Sequence, residues 1–71
     1  MLSKLYEMLL KQGFEMDATK DYINIITGNQ EVQIYFENDD IEVYTFEDEE
    51  CIESKIFADD LTAYMYIRSF L

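Results

Sequence analysis

The chain has no histidine, no proline, a single cysteine, two glycines, and no lysine or arginine anywhere between Asp21 and Ser54. Each absence removes a class of chemistry. Without histidine, both a common metal ligand and the side chain that titrates nearest neutral pH are missing. Cys51 has no second cysteine to pair with inside the chain, and its neighbours Glu49, Glu50 and Glu53 create a negative potential that disfavours a reactive thiolate. Gly13 and Gly28 stand alone, so there is no glycine-rich loop to cradle a phosphate. With neither a nucleophile and base nor a nucleotide cradle, the sequence argues against an enzyme and implies no cofactor. Carboxylates are plentiful, but a glycosidase-type pair needs a concave pocket, and 71 residues leave little room for one. Asn38, Asp40, Glu42 and Glu49 match four ligand positions of a calcium-binding loop, yet Val43 stands where that loop requires glycine. No metal site is expected.

Long apolar runs are also missing. No stretch approaches the roughly 18 apolar residues of a membrane span, and the start Met-Leu-Ser-Lys-Leu-Tyr-Glu lacks the basic region and apolar run of a signal peptide. The expectation is a cytoplasmic protein of a bacterial host cell with no membrane partner, in keeping with one unpaired cysteine. Without proline, repeats or low-complexity linkers, residues 1–71 read as one domain. A hydrophobic fraction of 49% with 15% aromatics separates the chain from disordered sequences. So short a chain buries a small fraction of its surface, and oligomerisation or partner binding is the supplement left when disulfide and metal are excluded.

From Leu2 to Gln12 the apolar residues Leu2, Leu5, Tyr6, Leu9 and Leu10 recur at helical spacing, and Gly13 followed by Phe14 is a helix stop. Tyr22 to Thr27 is rich in strand formers, Gly28-Asn29 signals a two-residue hairpin, and Glu31 to Glu37 alternates with Val32, Ile34 and Phe36 on one face. Asn38-Asp39-Asp40 reads as a second turn and Ile41 to Glu47 as a third strand. Cys51 to Phe57 is compatible with a fourth strand or with the first turns of a helix, since Ile52 and Ile56 are four apart. Asp59 or Asp60 then caps a last helix, Leu61 to Leu71. The expected class is α+β: a three- to four-stranded antiparallel sheet with an N-terminal and a C-terminal helix, in the order α-β-β-β-(β)-α. The last helix carries a wide apolar surface, on which Tyr66 and Phe70 are candidates for a homodimer contact.

The formal net charge is −11, and all of it lies between Asp21 and Ser54, where 11 acids meet no base. Outside that window Glu7, Glu15, Asp17, Asp59 and Asp60 are balanced by Lys4, Lys11, Lys20, Lys55 and Arg68. Solubility alone asks for a net charge of magnitude about 2 to 8 in a small domain, and concentrating more costs stability through repulsion. Strand alternation turns Val32, Ile34 and Phe36 inward and Glu31, Gln33, Tyr35 and Glu37 outward; on the next strand it leaves Glu42, Tyr44 and Phe46 outward. Acids and aromatics then share one surface. Alternate carboxylates roughly 6.6 to 7 Å apart along a strand would resemble successive phosphates. Such a field steers a basic protein partner and repels DNA or RNA. The candidate partner-binding residues are Glu31, Tyr35, Glu37, Asp39, Asp40, Glu42, Tyr44, Glu47, Asp48, Glu49 and Glu50.

In its helix, its meander from Tyr22 to Glu47, its acidic segments Glu37-Asn38-Asp39-Asp40 and Glu47-Asp48-Glu49-Glu50 and its closing helix, the chain resembles the small acidic inhibitors of phages and mobile elements. Within that class it resembles in particular the anti-CRISPR proteins that act as DNA mimics against type II CRISPR effector nucleases. The resemblance is one of size, charge and style, with no diagnostic motif. It implies a non-enzymatic inhibitor whose acids occupy the basic site where the nuclease reads its short DNA signal with arginines. A homodimeric assembly module built on the last helix, and an immunity protein masking a toxin's basic site, are the alternatives.

Overall fold

The first helix, α1 (Lys4–Lys11), begins where the Ser3 hydroxyl accepts the Tyr6 N–H at 3.2 Å, satisfying one of the amides that a helix start leaves free. The expected start at Leu2 lies outside the described residues, which in this computed structural model are 3–71. Leu5 and Leu9, four apart, are buried on one side, whereas Leu10 faces outward. Gly13, at φ +87°, takes the left-handed conformation that ends the helix, and Phe14 packs back against the core.

Five strands follow: β1 (Met16–Ala18), β2 (Tyr22–Thr27), β3 (Gln30–Glu37), β4 (Asp40–Glu47) and β5 (Glu50–Phe57). They form one antiparallel sheet in sequential order, and α2 (Asp60–Phe70) closes the chain. The class is α+β, as expected, with five strands in place of three to four. β1 is the unforeseen one: three residues opposite Ile23 to Ile25 are too short to register as a period-2 pattern. The segment open to either strand or helix, Cys51 to Phe57, is strand. It continues a ten-residue beat in which turns fall at 28–29, 38–39 and 48–49, and as a strand it satisfies the backbone of β4.

Both helices cover one face of the sheet. Ile23, Ile25, Val32, Ile34, Ile41 and Val43 from the strands meet Leu5, Leu9, Ala63 and Ile67 from the helices in one buried cluster. Thr45 is the buried polar residue, and its hydroxyl is satisfied by the Glu53 carbonyl at 3.2 Å. Two consecutive acids organise the helix starts. Asp59 caps α2 by accepting the Thr62 N–H at 2.9 Å, while Asp60 reaches across to accept the Leu5 N–H of α1 at 3.1 Å. Both carboxylates thus sit where helix dipoles favour negative charge.

Candidate interaction surface

The face of the sheet away from the helices is uncovered, and the pleat decides what it displays. β3 presents Glu31, Gln33, Tyr35 and Glu37, and β4 presents Glu42, Tyr44 and Phe46, in the alternation read from the sequence. Cross-strand register adds Asp17 from β1, Tyr22, Asn24 and Ile26 from β2, and Ser54 and Ile56 from β5. Strands β1 to β4 contain no lysine or arginine, and Lys55 on β5 lies opposite Val43, on the helix side. The open face is therefore acidic and aromatic without a strand-borne cation.

Three tyrosines cross its middle. Tyr22 and Tyr35 lie directly opposite one another with ring centroids 4.9 Å apart, and the Tyr44 ring meets Tyr35 edge-on at 5.7 Å. Gln33, Tyr35, Glu37, Glu42, Tyr44 and Phe46 line a shallow depression of about 400 Å3 there. Neutral donors fix the two half-buried carboxylates of this face. Glu31 accepts from Asn24 Nδ2 at 2.7 Å and Gln33 Nε2 at 3.1 Å, and Glu42 accepts the Tyr44 hydroxyl at 2.8 Å. The bond to Glu42, reinforced by that carboxylate's charge, pushes the Tyr44 phenol above its ordinary value. Burial, then the neighbouring Tyr35, Glu31 and Asp17, does the same to Tyr22. Both phenols stay neutral donors at physiological pH, so the face presents hydroxyls among carboxylates.

The other candidate partner-binding acids gather at the two ends of β4. One end holds Glu37, Asp39 and Asp40 around the turn Asn38-Asp39, beside a groove of about 420 Å3 that also touches Asp60 and Lys4. The other holds Glu47, Asp48, Glu49 and Glu50 around the turn Asp48-Glu49, where Asn29 Nδ2 donates to Asp48 at 3.1 Å. Seven residue steps separate Asp40 from Glu47, about 24 Å of strand, or the length of about seven base pairs of duplex. The acids do not form an unbroken line at phosphate spacing: Gln33 and Tyr35 occupy the middle of the β3 row, and carboxylates cluster at its ends.

Physical chemistry would not choose these ends for stability. Glu37 stands directly opposite Asp40, and Glu47 opposite Glu50, so each hairpin mouth holds a cross-strand pair of like charge. Both turns run left-handed through their central residues: φ is +49° at Asn38, +66° at Asp39, +52° at Asp48 and +68° at Glu49. Asn and Asp tolerate that conformation because their short side chains bond locally, but Glu gains no such compensation.

The eleven candidate partner-binding residues divide between the open face and the two hairpin ends, where Glu37 and Asp40 lie on the open side whereas Glu47 and Glu50 share the pleat of Gln30 and Thr45, on the helix side. Glu31, Tyr35, Glu42 and Tyr44 belong to the face, Glu37, Asp39 and Asp40 to one end, and Glu47, Asp48, Glu49 and Glu50 to the other. Sequence reasoning missed Tyr22, Asn24 and Asp17, although a two-residue turn at Gly28-Asn29 fixes Tyr22 opposite Tyr35 by counting alone. The candidate dimer residues Tyr66 and Phe70 are half-buried against the core. The Tyr66 ring lies 5.4 Å from Phe57, its hydroxyl bonds Glu53, and the Lys55 ammonium sits 5.2 Å from its centroid. The apolar residues that α2 exposes are Leu61 and Met65. Among the described residues no helix is long and apolar enough to cross a membrane. Compared with protein families, curated proteins and solved structures, the chain finds no match.

Proposed function

We propose that the protein is a non-enzymatic inhibitor that blocks a nucleic-acid-binding protein by presenting a DNA-like acidic surface, with a type II CRISPR effector nuclease as the leading target. One observation carries the reading: an uncovered sheet face without strand-borne cations is bounded by two acidic turns whose like-charge pairs oppose folding, Glu37 with Asp40 on the open side and Glu47 with Glu50 on the helix side. Charge placed against stability is accounted for by an electrostatic role toward a basic partner, which it would steer and hold in register. The tyrosines of the middle supply the aromatic contact area in which interface energy concentrates.

Binding of the protein to a guide-loaded effector nuclease, measured over a salt series with and without target DNA, tests the reading. Affinity should fall steeply with salt, and DNA should compete. The triple variant Glu37→Gln, Asp39→Asn, Asp40→Asn should weaken binding at least tenfold while the fold persists. Saturable binding that ignores DNA would sink the mimicry, and unchanged affinity of the triple variant would remove this end of the sheet from the interface. If the effector is not bound at all, the nuclease assignment fails and other basic DNA-binding proteins, assayed in the same way, decide the wider reading.

A further inference from the structure

The two edges of the sheet are unequal. β1 is three residues long, a short edge of the kind that resists pairing. β5 is eight residues long, lacks proline, and is exposed along almost its whole length, with Ile52 52% and Ile56 68% accessible. Alternation of the ladder from the closing pair Glu47 and Glu50 turns the backbone groups of Ser54 and Ile56 away from β4, free to bond another strand.

We infer that β5 pairs antiparallel with β5 of a second copy about a two-fold axis through Ser54. The sequence Ile52-Glu53-Ser54-Lys55-Ile56 is self-complementary in that register. Glu53 of each copy comes opposite Lys55 of the other on the helix side, giving two cross-strand ion pairs, and the exposed Ile52 comes level with Ile56 twice. Ile52 is the extra residue of the bulge between Glu53 and Cys51, so it has no partner on β4. The neighbouring registers that keep outward backbone groups facing one another are excluded by charge. A shift one way sets Glu53 against Glu53, and the other way Lys55 against Lys55. A two-fold axis normal to the sheet keeps both open faces on the same side, making a ten-stranded surface about 48 Å across.

The net charge of −11 per copy opposes this pairing over long distances, whereas the ion pairs act at contact. Screening lengths of about 30 Å at 0.01 M salt and about 8 Å at 0.15 M mean that the dimer should strengthen as salt is raised between them. This trend is opposite to that expected for capture of a basic partner, so the two readings fail separately.

Sedimentation velocity over a concentration series at about 0.15 M salt should show a dimer for the natural sequence and monomers for Lys55→Glu and for Glu53→Lys. The double variant Glu53→Lys with Lys55→Glu restores both cross-strand pairs and should regain the dimer. Since either single change also disturbs Tyr66, circular dichroism must show each variant folded, and the double variant carries the decision. A second probe avoids those contacts altogether: Ser54→Cys in a Cys51→Ser background places a thiol on the axis, where facing Cα atoms about 5.5 Å apart permit a disulfide. Mild oxidation should link two copies. A natural chain that stays monomeric, a folded double variant that does not dimerise, or a thiol at position 54 that does not cross-link overturns the inference.

Discussion

Replacing Glu49 by glycine should make the protein more stable, although it deletes a side chain and leaves every core contact in place. Glu49 is the second central residue of a two-residue hairpin, exposed and held at φ +68°. A residue with a Cβ in the left-handed region is disfavoured by about 1 to 2 kcal/mol. Glycine relieves that strain but widens the unfolded ensemble, an opposing term of about 0.4 to 1 kcal/mol. Relief of repulsion within Glu47-Asp48-Glu49-Glu50 adds a few tenths in favour, by analogy with like-charge pairs on strands. The net is a stabilisation of about 1 kcal/mol, or a rise of about 4 to 8 °C in Tm for a domain of this size. Thermal and urea unfolding followed by circular dichroism measure it. Glu49→Gln separates the causes, because it removes the charge and keeps the strain, and should shift Tm by a small fraction of the glycine effect. Glu49→Asn should fall between them. If glycine leaves Tm unchanged or lowers it, or if glutamine matches it, the turn is not strained as described.

Three further outcomes follow from named contacts. Asp60→Ala removes the acceptor of the Leu5 N–H in α1 and should cost about 1 kcal/mol in urea unfolding, with Asp60→Asn recovering much of it. Thr45→Val deletes the buried hydroxyl that bonds the Glu53 carbonyl and should cost about 0.5 to 1.5 kcal/mol, measured in the same way. The phenols of Tyr22, Tyr44 and Tyr66 are raised, Tyr66 by burial first and then by its bond to Glu53. A raised folded pKa means the folded state holds its proton longer, so this stabilisation is complete below the ordinary tyrosine value of about 10 and is lost as pH climbs through the folded values. Stability should fall from about pH 10 upward, and Tyr44→Phe should flatten part of that fall; phenolate absorbance tracks the titration. Asp59 behaves in the opposite sense. The Thr62 amide and hydroxyl hold its carboxyl below the usual value, so its capping is present above that value and is lost as pH falls through the lower folded one.

The sheet was legible from sequence wherever period and turn chemistry agreed. Val32, Ile34, Ile41, Val43 and Thr45 point inward as alternation requires, and Asn38-Asp39 makes the turn that asparagine and aspartate favour. It became illegible where one of the two was missing. β1 has the alternation of Met16, Asp17 and Ala18 but only three residues of it. β5 is exposed on both sides, so no apolar face marks its period, and the turn before it uses Asp48-Glu49 without a glycine. The candidate surface was legible as a set of outward residues, but its layout was not. Which acids share an end depends on which strands a turn joins, and the part of Asn24 in fixing Glu31 depends on a neighbour seven residues away. The surroundings of Tyr66 were illegible for a related reason: the helix was read without the strand beneath it, and β5 supplies Phe57, Glu53 and Lys55 around its ring and hydroxyl.

The acids divide by what the fold does with them, and that division decides which variants can test function. Asp59 and Asp60 hold helix starts, Glu53 receives the Tyr66 hydroxyl, Glu31 and Glu42 accept from Asn24, Gln33 and Tyr44, and Asp48 accepts from Asn29. Reversing any of these disturbs structure together with charge, so lost binding would be ambiguous. Glu37 and Asp40, and Glu47 and Glu50, face each other across the hairpin mouths, where removing charge relieves repulsion. Neutralising them should therefore leave stability unchanged or raise it by a few tenths of a kcal/mol. If it also weakens the partner, stability and binding move in opposite directions. A structural role for those carboxylates would move both the same way. Residues that a protein keeps at the expense of its own stability are those whose removal separates the two.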